Sequence, residues 1–148
     1  MTRDAPALAE SDALIGVRDT PLSVAECLAA VTRPQAGGIG LFVGTVRASD
    51  HDRPVVDLEY IAHPDAIERM HAVARGVAAD FPVAALAAVH RVGRLEIGEI
   101  AVIVAVSCPH RPEAFAATRR LIDDLKASVP IWKRQTYADG EIEWVGCS

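Results

Sequence analysis

Between Pro64 and Pro82, the apolar residues Ile67, Met70, Ala74, Val77 and Phe81 recur at steps of three and four, the clearest helical period in the chain. Proline bounds the segment at each end because it cannot continue a helix. The pattern then changes. Ala85 to Val92 reads as a strand, Gly93 to Gly98 as a turn region, and Ile100 to Ser107 as a strongly apolar strand. A second long helix begins at Pro112, where Glu113 complements the dipole, and runs to Lys126 with Ala114, Ala117, Leu121 and Leu125 on its buried face. Pro130 prevents its continuation.

The remaining elements are shorter. A helix is expected over Pro21 to Val31, with Ser23-Val-Ala-Glu26 as a capping box if it starts slightly later. Gly37-Gly38 precedes an apolar strand, Ile39 to Val46, that delivers Arg47 at its end. Ala48 to Pro54 is charged and poorly patterned, which predicts a mobile loop. Val56, Leu58 and Tyr60 alternate with Asp57 and Glu59, the period of a half-buried strand. Asp139-Gly140 predicts a tight hairpin turn between two short C-terminal strands. Helices and strands mix without strict alternation, so the fold class is α+β rather than a doubly wound sheet. No repeat or linker divides the chain; residues 1–12 are expected to be a flexible N-terminus and residues 13–148 a single domain.

The chain has 148 residues, 51% of them hydrophobic, enough to bury a core in one domain. No apolar run approaches a membrane span, and the polar, acidic start is unlike a secretory signal. Cys27, Cys108 and Cys147 are scattered without C-x-x-C spacing, which fits a reduced, cytoplasmic protein with no structural metal. A net charge of −5 argues against a nucleic-acid surface. From His110 to Arg134, however, six Lys/Arg face three Asp/Glu. A basic region on an acidic body favours a small anion as ligand.

Within that region stand the chain's two lysines, Lys126 and Lys133; the other 13 of the 15 Lys+Arg are arginines. Lysine is a compact charge whose pKa drops on burial, so it can act as acid, base or nucleophile where arginine cannot. Arg47 closes a strand, and His110-Arg111 precedes a helix N-terminus, which already favours an anion. A helix from Pro112 to Lys126 is about 20 Å long, so Arg111 and Lys126 of one chain cannot easily grip one small molecule. If both serve one ligand, His110-Arg111 must come from a second copy, which favours a homodimer with shared sites. Plainer roles stay open: Lys126 as a helix C-cap, Lys133 as an edge lysine, Arg47 paired with a surface carboxylate, and His90-Arg91 as structural or interfacial. Cys108 near His110 would be a thiol nucleophile, although inert burial is commoner.

The ordered set Gly38-x-x-x-Phe42-x-Gly44-x-Val46-Arg47, Leu58-x-Tyr60, His90-Arg91-x-Gly93-x-Leu95-x-x-Gly98-Glu99, His110-Arg111-x-x-Ala114-Phe115 and Leu125-Lys126-x-x-x-Pro130-x-Trp132-Lys133 closely resembles the large, catalytic subunit of molybdopterin synthase. The match covers about Gly37 to Val145. The resemblance implies an α/β-hammerhead-like fold with an additional antiparallel β subdomain. It implies a homodimer within a heterotetramer, with a small ubiquitin-like sulfur-carrier subunit at each end. The implied reaction is a sulfurtransferase step in molybdenum cofactor biosynthesis. Two sulfurs pass from the thiocarboxylate on the small subunit's C-terminal Gly-Gly to cyclic pyranopterin monophosphate, giving the dithiolene of molybdopterin, with no metal or other cofactor.

Carried over by position, the resemblance implies that Thr45, Val46 and Arg47 contact substrate, and that His110 and Arg111 bind phosphate across the dimer interface. Lys126 is the implied catalytic group beside the thiocarboxylate. Lys133 holds the pterin or phosphate and polarises the reacting centre, and the Arg134-Gln135 backbone completes that wall. The chain departs from the family pattern in three places: the loop after Arg47 lacks its usual glycine, Ile61 replaces a glutamate, and Gln135 replaces an acid. The last change removes a partner for Lys133. The competing readings are a non-catalytic paralogue that binds the phosphopterin or the ubiquitin-like tail, supported by Gln135, and a cysteine enzyme using Cys108 and His110.

Overall fold

The computed structural model describes residues 8–146. In chain order the elements are β1 (Ala13–Arg18), α1 (Val24–Val31), β2 (Gly38–Thr45), β3 (Ser49–Asp50), β4 (Arg53–Ala62), α2 (Ala66–Asp80), β5 (Ala85–Arg91), β6 (Gly93–Leu95), β7 (Ile100–Cys108), α3 (Arg111–Ser128), β8 (Ile131–Tyr137) and β9 (Ile142–Gly146). A four-stranded sheet has the order β1-β5-β7-β2; a second sheet has the order β3-β4-β8-β9, with β6 also paired to β4. Among the described residues, only β1 and β5 run parallel. This is the expected α+β class, with the second sheet as its additional antiparallel part.

The first sheet is covered on both faces. Ala85, Ala87 and Val89 pack with Cys27 and Val31 of α1, whereas Leu86 and Ala88 pack with Met70, Ala74 and Val77 of α2 and Leu121 and Leu125 of α3. A strand buried on both sides has no solvent face to mark with polar residues, which is why β5 and β7 read as apolar runs. Glycine lets α3 lie close along β2. A Cβ on Gly40 would stand 2.7 Å from the Ala114 carbonyl oxygen, and one on Gly38 would stand 3.0 Å from Arg111 Cα. The N-terminal half of α3 is thereby pressed onto β2, and the helix's other end is carried toward Thr45.

Several boundaries differ from expectation for identifiable reasons. Helix α1 begins at Val24, not Pro21, because the Ser23 hydroxyl accepts the Glu26 N–H at 3.1 Å and fixes the N-cap there. Ala48 to Pro54, expected as a loop, is a hairpin: Asp50 pairs with Arg53, and His51 and Asp52 take φ values of 51° and 61°. Two successive left-handed residues are the mark of a tight two-residue hairpin turn. Strand β1 and the short β6 were not expected. Residues 1–7 of the expected flexible N-terminus lie outside the described residues, as does Cys147; Glu10–Asp12 form a 3-10 turn that Arg33 ties down through Asp12 at 3.0 Å.

In α2 the buried seam is Ala66, Met70, Ala74 and Val77, and Ile67 is 45% exposed. In β4 the pairing with β8 shifts register between Val55 and Asp57. This bulge turns Val55 inward at 3% exposure and Val56 outward at 62%, so the alternation anticipated from Val56 is broken there. The Asp139-Gly140 hairpin is as expected, with Gly140 at φ 89°. Among the described residues, no helix is long and apolar enough to cross a membrane.

Candidate active site

A cavity of about 390 Å³ lies where the end of the first sheet meets the second. Thr45 and Arg47 enter from the end of β2, His90 from the end of β5, Tyr60 from β4, Lys126 from the last turns of α3 and Lys133 from β8. Met70, Ile122, Leu125, Val129 and Ile131 supply apolar lining. This volume and this mix of apolar wall with a few convergent polar groups suit a small organic ligand.

Lys133 lies opposite Tyr60 in the β4–β8 register, and β8 runs between β4 and β9. It is therefore an interior lysine and not an edge one. Burial pushes its pKa below the ordinary lysine value; Asp50 and Glu143 oppose that shift, while Lys126 and Arg47 add to it. Three cationic side chains thus crowd one cavity in a chain of net charge −5. Asp50, which pairs with Arg47 at 3.3 Å, and Glu143 offset part of that crowding, and a bound anion would offset more.

Two further cavity residues were not singled out as site residues in the sequence. His90 was read as structural or interfacial, yet it lines the cavity, while Arg91 turns away to pair with Glu99 at 2.7 Å. Burial, with some help from Lys126, pushes the His90 pKa down to about 4, so the ring is neutral near neutral pH. Its Nδ1 lies 2.7 Å from the Arg91 carbonyl oxygen. Only the Nδ1–H tautomer can donate there, and that leaves Nε2 as an acceptor. The Tyr60 ring meets His90 edge to face, with centroids 4.9 Å apart. Tyr60 sits at an inward position of the β4 alternation, the one signal that would have found it; β5 is buried on both faces and gives no such signal for His90.

The other sequence candidates lie elsewhere. The Val46 side chain is 5% exposed and packs with Leu58, Leu95 and Ala101, outside the cavity lining. Arg134 pairs with Glu59 at 2.9 Å; as the neighbour of Lys133 on β8 it belongs to the opposite face of the sheet. Gln135 shares the Lys133 face but is 2% exposed, and its amide nitrogen donates to Asp50 and Glu143. His110 is the N-cap of α3 and Arg111 its first residue, both exposed and absent from the cavity lining. The 18-residue helix holds them more than about 20 Å from Lys126. Cys108 is sealed in the core at 0% exposure, and burial together with Glu113 pushes its thiol up to about 11. It is not an activated nucleophile.

The family model described as the MoaE protein matches residues 17–128. The chain is 46% identical over 129 residues to molybdopterin synthase catalytic subunit 1 of Mycobacterium tuberculosis, covering 86% of this chain and 87% of that one. It is 38% identical over 131 residues to the molybdopterin synthase catalytic subunit of Halalkalibacterium halodurans, covering 88% and 83% respectively. Among solved structures, molybdopterin synthase from Staphylococcus aureus aligns with a TM-score of 0.84 at 30% identity, over 89% of this chain and 96% of that one. A complex of subunits 1 and 2 of the molybdopterin-converting factor from Helicobacter pylori aligns with a TM-score of 0.66 at 22% identity, over 91% and 88%, a likeness of fold.

Proposed function

The chain belongs to the MoaE family, whose named relatives are molybdopterin synthase catalytic subunits, and we propose that the lysine-lined cavity is where it converts cyclic pyranopterin monophosphate to molybdopterin. It is accordingly an enzyme of molybdenum cofactor biosynthesis, a sulfurtransferase. The observation that carries the assignment of the site is the convergence of Arg47, Lys126 and Lys133 on one cavity.

In this reading the sulfur donor is the thiocarboxylate at the C-terminal Gly-Gly of a small ubiquitin-like subunit, whose tail enters the cavity. The Helicobacter pylori neighbour is itself a complex of two subunits. The thiocarboxylate sulfur bonds to a carbon of the pterin side chain and the phosphate ring opens. Water then adds to the acyl carbon, the tail leaves as a carboxylate, and the sulfur stays on the pterin as a thiolate. The ring opens only once, so the second thiocarboxylate adds at the neighbouring oxygen-bearing carbon, whose oxygen leaves as water, and hydrolysis of that acyl–sulfur bond leaves the second thiolate.

Both steps gather negative charge, on the phosphate and on the tetrahedral acyl centre. Preorganised cations in a cavity closed by the tail stabilise it. Lys126 is the catalytic group beside the acyl centre, and Lys133 and Arg47 hold the anionic substrate, with Thr45 and the Val46 backbone beside them. His110 and Arg111 reach the phosphate from a second copy of the chain, because one protomer's α3 separates them from Lys126. The Arg134-Gln135 backbone closes the Lys133 wall. The assembly is a homodimer of this chain carrying a small subunit at each end, working in the cytoplasm.

The test is reconstitution: purified chain, thiocarboxylated small subunit and precursor, assayed for the dithiolene. Product is expected at two sulfurs per pterin. Tight binding of tail and precursor without product would replace this reading with a non-catalytic one.

A further inference from the structure

Gln135 is 2% exposed, and its amide nitrogen bridges two acids, donating to Asp50 Oδ2 at 2.7 Å and to Glu143 Oε1 at 3.2 Å. The Tyr137 hydroxyl also donates to Glu143 Oε1, at 2.9 Å. Asp50 Oδ1, the oxygen Gln135 does not use, accepts from Arg47 Nη2 at 3.3 Å. One polar atom from each of Asp50, His51 and Glu143 lies within 4.8 Å of the others, and the bridge accounts for the approach of the two acids. A primary amide has two hydrogens and no charge, so it can hold two carboxylates where a third carboxylate would repel both.

Asp50 arrives here only because the β3–β4 hairpin is tight. His51 and Asp52 both take positive φ, which folds residue 50 back over β4 toward β8. Its side chain is 15% exposed although the hairpin tip is on the surface. Lys133 and Gln135 lie two residues apart on β8 and so share a face, which puts the two acids that Gln135 holds on the Lys133 side of the sheet. Of the charged groups that act on the Lys133 amine, Asp50, Lys126, Arg47 and Glu143, Asp50 exerts the largest effect. Two cations and two carboxylates thus bracket it.

We propose that Asp50 is a positioning residue of the active site, clamped by the Gln135 amide so that its carboxylate, paired with Arg47, is held on the Lys133 face of β8 as a counter-charge to both cations. The β3–β4 hairpin then belongs to the site, with its carboxylate contributed from 85 residues before the amide that holds it. The proposal rests on the reading of the cavity as the reaction site only for its consequence in catalysis. The charge relation itself can be read without substrate.

The chain's two lysines make the measurement direct. With 13C-labelled lysine, the Cε signals of the full chain report two amines, and Lys133→Arg assigns them. In Asp50→Asn the Lys133 midpoint is expected to fall by about one pH unit, as for loss of a close opposite charge, with a smaller change at Lys126. Asp50→Glu should return it most of the way. The alkaline limb of molybdopterin formation should move down with the Lys133 midpoint in Asp50→Asn and recover in Asp50→Glu. If Asp50→Asn does not fold, Asp50→Ser carries the same expectation. An unmoved Lys133 midpoint in a folded charge-removing variant overturns the proposal, whatever the activity. Shifted midpoints with no dithiolene from the unmodified chain would overturn the assigned reaction and leave the counter-charge standing.

Discussion

Lys126 and Lys133 leave different elements, the C-terminal end of α3 and the middle of β8, and line the same cavity. Lys126 lowers the basicity of Lys133, so the two ammonium groups repel across the space they enclose. Pro130 is the reason they meet. It forbids further helix, and the chain turns at once into β8, which brings residue 133 back past the end of the helix that carries residue 126.

Lys126→Ala is therefore expected to lower the rate of dithiolene formation by about 10²–10³-fold, the cost of removing one charge-stabilising donor from a transition state. Lys126 is exposed and ends a helix, so melting temperature and oligomeric state should not change. Lys126→Arg should not restore the rate, because a planar fork cannot take the place of a compact amine. Near-normal turnover in Lys126→Ala would remove this residue from the chemistry.

The length of α3 makes a prediction about assembly. A chain with Arg111→Ala mixed with a chain carrying Lys126→Ala forms mixed dimers with one intact site each. Random reassortment should then regain about a quarter of the unmodified activity, though each variant alone is nearly inactive. If verified mixed dimers stay inactive, the His110-Arg111 pair serves no shared site.

The sequence was most legible where one periodicity served one buried face. The seam of α3, at Ala114, Ala117, Leu121 and Leu125, lies as expected, and so do the apolar runs of β5 and β7. It was least legible where a single backbone feature reset the pattern. The bulge beside Val56 reversed one alternation, and positive φ at His51 and Asp52 made a hairpin from a stretch with no glycine to announce it. Of the cavity, Arg47, Lys126 and Lys133 were legible as cations at or near element ends. His90 was not, since its place in the cavity depends on where β5 meets the second sheet, and neither was Asp50, which lies outside the cavity lining and owes its position to that hairpin.

His90 gives a stability signature with a defined sign. Its folded pKa is about 4, below the roughly 6.5 of an unfolded histidine. Between those values the unfolded chain binds the extra proton, so stability falls as pH drops through that window and is fully retained above it. The loss should reach roughly 2–3 kcal/mol by pH 4. His90→Phe keeps the ring against Tyr60 and cannot titrate, so urea unfolding of this variant should lack that component of the acid slope. Parallel slopes in the two proteins would mean that His90 is accessible to protons in the folded state.

Gln135→Glu is the substitution that the resemblance to the family would call harmless, and the buried network implies the opposite. When ionised, the new side chain donates no hydrogen to Asp50 or Glu143 and adds a third negative charge between them. Its carboxyl pKa in the folded state must rise above the roughly 4.3 of an unfolded glutamate. The folded protein then binds the extra proton, so the penalty is small below that value, grows as pH rises through the raised folded pKa, and is complete above it. Denaturant unfolding should show a loss of about 1–3 kcal/mol at pH 8, the cost of leaving buried polar groups unsatisfied, and a smaller loss at pH 5. Pairing the change with Asp50→Asn, which removes one acid and returns an amide, should recover part of the stability at pH 8. An equal loss at both pH values, with no recovery in the double variant, would show that the amide bridge does not hold the hairpin in place.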